Sequence, residues 1–144
     1  MGRHELREQV FRLLFRVEFN SPEEMEEQKT LFAKDLPVED TANAAGDEDM
    51  EYISERCGRV QERLSEIDRI IDTNTEGWDT TRMGKVELTV LRLGVYEILF
   101  DEDIPESVAI NEAVEIAKKY GQETSGGFVN AILARVLRSG ESNS

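Results

Sequence analysis

The chain has 144 residues, 39% of them hydrophobic and 33% charged, with a formal net charge of -14. That size suggests a single globular domain, residues 1–144, with a real core. No apolar run approaches the roughly 18–20 residues that span a membrane, and charges interrupt the first residues too early for a secretory signal, so the cytoplasm is expected. The acidity is uneven: residues 1–16 carry four Arg and two Glu (+2), residues 17–79 six basic and nineteen acidic side chains (-13), and residues 80–144 seven and ten (-3). Long-range repulsion by so acidic a chain would leave only the two ends to meet a nucleic acid.

The spacing predicts a first helix from Arg3 to Phe19 with two apolar stripes. One comprises Leu6, Val10, Leu13, Leu14 and Val17, the other Phe11, Phe15 and Phe19. Such a helix is either deeply buried or packs on a core while offering aromatics to a partner. Ser21-Pro22-Glu23-Glu24 combines an N-cap, a proline at the first helical position and a capping box, so a second helix runs from there to about Leu36. Pro37 ends it, and residues 38–46 read as a surface loop.

One long helix is expected over Asp47–Thr73, buried through Tyr52, Ile53, Val60, Leu64, Ile67, Ile70 and Ile71. Trp78 is expected to anchor the following corner in the core. Lys85–Phe100 is apolar on most sides and is predicted to be the central buried helix. A loop through Pro105 leads to a helix over Ser107–Tyr120, where Asn111 either caps the start or points inward. Gly121 fits a left-handed helix end. Thr124 or Ser125 is a possible cap for a last helix over Phe128–Leu137, and residues 139–144 are expected to form a flexible tail.

The search for catalytic chemistry returns little. His4 is the only histidine and Cys57 the only cysteine, so no zinc site or disulfide can be assembled from them, and His4, near a terminus, is a poor scaffold for a catalytic pair. Cys57 falls in a helical pattern, where a packing role is favoured over a nucleophile. No Gly-rich phosphate loop precedes a Lys-Ser/Thr pair. The expectation is a protein without cofactor, metal or enzymatic activity. Nucleic-acid features are modest. Arg3 and Arg7 are four apart, as are Arg12 and Arg16, and the planar guanidinium suits phosphate. Phe128 and Asn130 would supply a stacking ring and an amide for unpaired bases. Composition alone favours core packing for Phe128 and ordinary solvation for the arginines.

Three segments in the second half carry a resemblance. Arg92, Tyr96, Glu97 and Ile98 close the central helix; Pro105 and Val108–Lys118 read P-x-x-V-A-I-N-E-A-V-E-I-A-K; Phe128–Leu133 read F-V-N-A-I-L. In order and spacing this resembles the NusB family over about fifty residues. The resemblance implies an all-α NusB-like fold of six to seven helices, arranged as two small bundles packed across one another. It implies an antitermination factor that pairs with the ribosomal protein NusE, binds boxA-type single-stranded RNA and joins an RNA polymerase antitermination complex that reads through terminators, notably in rRNA operons. On the matching positions, RNA would meet Arg3, His4, Arg7, Arg12, Phe128 and Asn130, and NusE would meet Phe15 and Glu87. Self-association into a homodimer is compatible with the aromatic stripe. Glu5 and Glu8 interrupt the basic run, and Gly127 stands where the family often has Lys. These departures leave open an alternative, a NusB-like adaptor that binds proteins with weak or no RNA affinity.

Overall fold

The computed structural model describes residues 1–36, 45–77 and 79–142. Seven α-helices and one 3-10 turn make up its regular structure, and no strand occurs among the described residues. The chain divides into two compact units, residues 1–61 and 62–144.

In the first unit, α1 (Arg3–Phe15) buries Val10, Phe11, Leu13 and Leu14. The expected helix to Phe19 changes winding at Arg16, and Arg16–Phe19 form a 3-10 turn. Asn20 secures that turn by donating from Nδ2 to the Arg16 carbonyl at 2.8 Å. The predicted capping box then starts α2 (Pro22–Asp35). Ser21 Oγ accepts from the Glu24 N–H at 3.2 Å, and Glu24 Oε1 accepts from the Ser21 N–H at 3.0 Å. Met25 and Phe32, two turns apart, are its buried contacts. α3 (Ala45–Glu62) buries Ile53, Cys57 and Val60. It begins at Ala45, so Ala45 and Gly46 are helical rather than loop. The rest of the predicted loop, residues 38–44, and Trp78 lie outside the described residues.

The single helix expected over 47–73 is two. Arg63 leaves helical geometry (φ -109°, ψ 14°) and α4 (Leu64–Thr73) follows. Arg63 turns its guanidinium over the Phe100 ring, 4.3 Å from the centroid, and donates to Glu66 at 3.3 Å. No glycine or proline marks this break. α4 buries Ile67 and Ile71 and ends on Asn74, which donates to the Ile70 carbonyl at 2.8 Å. Gly77 takes the left-handed region (φ 79°), where side chains are strained.

α5 (Lys85–Phe100) is the predicted centre: every residue from Leu88 to Ile98 is buried. It packs on α4, α6 (Glu106–Tyr120) and α7 (Ser125–Ser142). A Cβ at Gly94 would stand 2.8 Å from Leu133 Cδ1, so glycine permits the close approach of α5 and α7. α6 buries Ala109, Ala113, Ile116 and Ala117, and Asn111 is exposed, neither capping the start nor pointing inward. Gly121 is not left-handed (φ -101°, ψ -155°). Its role is room, since a Cβ there would lie 2.6 Å from Ser125 Oγ and 2.7 Å from the Ala117 carbonyl oxygen. α7 starts three residues before the expected Phe128 and extends through Ser139–Ser142, predicted as tail. At its far end Ser139 Oγ donates to Asn74 Oδ1 at 2.9 Å.

Candidate nucleic-acid and partner-binding surfaces

Within the first unit, the four arginines of the N-terminal segment have different environments. Arg3 and Arg12 are exposed, as is His4. Arg7 is buried at 8% exposure. It lies one turn before both Val10 and Phe11, so it falls between the two apolar stripes of α1. Arg16 donates from one guanidinium nitrogen to Gln28 Oε1 at 3.0 Å and to the Gln28 carbonyl at 3.4 Å, and lies over the Phe32 ring at 5.1 Å. Arg16 therefore fastens the end of α1 to α2. Nine residues at about 100° each place Arg12 half a turn round the helix from Arg3. The arginines do not form one continuous face: Arg3 presents an open guanidinium on one side and Arg12 on the other. Arg12 holds Gln9 Oε1 only at 3.4 Å, so its fork remains available.

Phe15 is half-buried and stands in a ladder of rings. Phe11 lies 6.2 Å away and Phe19 5.4 Å away, the latter edge-to-face at 61°. The ladder runs from a buried Phe11 (3% exposed) to a projecting Phe19 (59%). The alternatives for this helix thus resolve into a division along its length: the early rings serve the core, and the last one offers apolar surface.

In the second unit, Phe128 is half-buried in the first turn of α7 and Asn130 is exposed. Gly127 is exposed, and a Cβ there would meet nothing within 4 Å. The head of α7 is fixed from beneath. Ser125 Oγ donates to Glu87 Oε1 and accepts from the Gln122 N–H at 2.8 Å. Glu87 sits half-buried in the first turn of α5, so this partner candidate is bonded to the start of α7. Reading the sequence assigned Ser125 only a possible capping role. Its signal was position: Ser125, Val129, Ile132 and Val136 are spaced as one apolar stripe, and a polar residue heading a buried stripe needs internal partners.

Catalytic chemistry finds no support in these surroundings. Burial pushes the Cys57 thiol up to about 12, with the Lys29 charge opposing, so the nucleophilic thiolate is scarce near neutral pH. An open groove between α2 and α3 mixes signs, with Glu26, Lys29, Lys34, Glu51 and Glu55 along it. Among the described residues no three His, Cys, Asp or Glu side chains cluster as metal ligands, and no helix is long and apolar enough to cross a membrane.

Comparison with known proteins adds what geometry alone does not. The model of the NusB family matches residues 4–138. The Transcription antitermination protein NusB of Agathobacter rectalis is 48% identical over 135 residues, covering 94% of this chain and 98% of that one. Among solved structures, T. maritima NusB aligns with a TM-score of 0.79 at 37% identity, over 96% of this chain and 92% of that chain. A structure of the antitermination factors NusB and NusE in complex with dsRNA aligns with a TM-score of 0.76 at 25% identity, over 96% and 99%.

Proposed function

Because this chain belongs to the NusB family, we propose that it is an RNA-binding transcription antitermination factor that pairs with the ribosomal protein NusE. The pair would engage boxA-type single-stranded RNA and promote read-through by RNA polymerase, notably in rRNA operons, from the cytoplasm. In this reading the two helical units act as one domain without catalytic activity. The observation that carries it is near-complete overlap with antitermination relatives at 48% identity, beside the fold shared with a NusB–NusE–RNA complex.

Arg3 supplies a phosphate contact, assisted by exposed His4; Arg12 faces the opposite side of α1, so only a strand that passes round the helix reaches both, and buried Arg7 offers no direct contact. Phe128 and Asn130 supply ring and amide contacts to unpaired bases. Phe15 with Phe19, and the head of α5 at Glu87, receive NusE. Single-stranded RNA fits better than duplex here, because a ring and an amide read bases that a duplex keeps stacked.

The test is a pair of substitutions read against salt. Arg3→Ala should weaken binding of a boxA-like RNA and reduce the slope of log K against log salt by about 0.7. Asn130→Ala should weaken binding with the slope unchanged. Two variants that bind like the wild type would place RNA elsewhere on the molecule. The protein-adaptor reading has its own support, since burial of Arg7 and engagement of Arg16 leave two of the four arginines open. NusE binding with no RNA binding at low salt would favour it.

A further inference from the structure

We propose that Ser125 is a positioning residue for RNA recognition, holding the first turn of α7 in its binding geometry through the hydrogen bond to Glu87. The inference rests on the proposed RNA-binding function and adds a residue that contacts no RNA itself.

Ser125 is 3% exposed, so its hydroxyl has only internal partners. One oxygen joins three segments: it donates to Glu87 on the first turn of α5, accepts from Gln122 in the preceding turn, and belongs to the first residue of α7. Glycines leave room for both members of the pair. A Cβ at Gly121 would stand 2.6 Å from Ser125 Oγ, and one at Gly84 would stand 2.3 Å from Glu87 Oε2. Gly126 is buried next to Lys118 Cγ, 3.0 Å from where its own Cβ would be, so the α7 turn rests on α6 as well. Above this support the outer side is open at Gly127. Phe128 follows Ser125 by three residues, so a shift of the first turn carries the ring with it and moves Asn130 one turn further on. A recognition group is only as precise as the shell that supports it. The carboxylate of Glu87 acts here as a hydrogen-bond acceptor, and glutamine at that position retains an acceptor oxygen.

The experiment measures affinity for a boxA-like single-stranded RNA, its salt slope, and NusE affinity. It compares wild type, Ser125→Ala, Glu87→Gln, Glu87→Ala and the Ser125→Ala/Glu87→Ala pair. Ser125→Ala should weaken RNA binding by about fivefold to tenfold, the scale of one internal hydrogen bond, with an unchanged salt slope and NusE affinity within about twofold. Glu87→Gln, which keeps an acceptor oxygen, should lose less RNA affinity than Glu87→Ala. The double variant should lose no more than either alanine variant alone, the mark of two residues acting through one bond. Wild-type RNA affinity in Ser125→Ala, additive losses of RNA affinity in the double variant, or a fall of NusE binding parallel to that of RNA binding in Ser125→Ala would overturn the inference while leaving the proposed function standing. Failure of the wild type itself to bind RNA at low salt would remove both.

Discussion

Asp68→Ala tests the account of how the second unit is held. Arg92 Nε donates to Asp68 Oδ1 at 2.8 Å, and a second guanidinium nitrogen donates to Oδ2 at 2.9 Å. The pair crosses from α5 to α4 with side-chain exposures of 10% for Arg92 and 24% for Asp68. Breaking a fully buried pair costs about 3–5 kcal/mol, because the surviving charge is left in the interior. An exposed pair contributes about 1 kcal/mol or less. The partial exposure of Asp68 places this substitution between those limits, at roughly 2–3 kcal/mol. With a urea dependence of roughly 2 kcal/mol per molar, the unfolding midpoint followed by far-ultraviolet circular dichroism should fall by about 1–1.5 M. Adding Arg92→Met removes the second charge of the pair and should restore part of the loss. A midpoint within about 0.3 M of wild type, or a double variant less stable than Asp68→Ala, would refute the reasoning.

Three further outcomes are expected. Gly127→Lys meets open space and adds a charge at the head of α7, so it should raise RNA affinity and steepen the salt slope by about 0.7; an unchanged slope would show that phosphate does not pass there. Cys57, with its thiol pushed up to about 12 by burial, should resist alkylation in the native protein at pH 8 and react in urea; rapid stoichiometric labelling of the native protein would contradict the burial. The Ser21 N–H, and after it the Ser21 hydroxyl, hold the Glu24 carboxyl below its ordinary value of 4.5. A carboxyl lowered in the folded state stabilises above that ordinary value and loses the contribution as pH falls through the folded value. Glu24→Ala should therefore lower Tm at pH 7, with the gap from wild type narrowing as pH falls below about 4; a constant gap down to pH 3 would exclude the reciprocal cap.

What the sequence disclosed and what it hid have physical explanations. The start of α2 was legible because its signal is local: Ser21, Pro22 and Glu24 satisfy the helix end among themselves. The central place of α5 was legible because few of its positions are suited to water. The break at Arg63 was not, because it carries no glycine, no proline and no capping side chain. Gly121 looked like a left-handed helix end, yet its function is to make room for Ser125 and the Ala117 carbonyl, a demand set by packing. Arg7 was grouped with Arg3 by spacing, although its position one turn before Val10 and Phe11 already pointed towards burial. The family pattern drew attention to Arg92, and its bidentate bond to Asp68 shows a structural role for it in this chain.

The central claim is tested most directly by titrating a labelled boxA-like single-stranded RNA with this protein, alone and with NusE, across a salt series. The account predicts binding that tightens when NusE is present and weakens as salt rises. A NusE complex that forms normally and leaves the RNA free at low salt would contradict it.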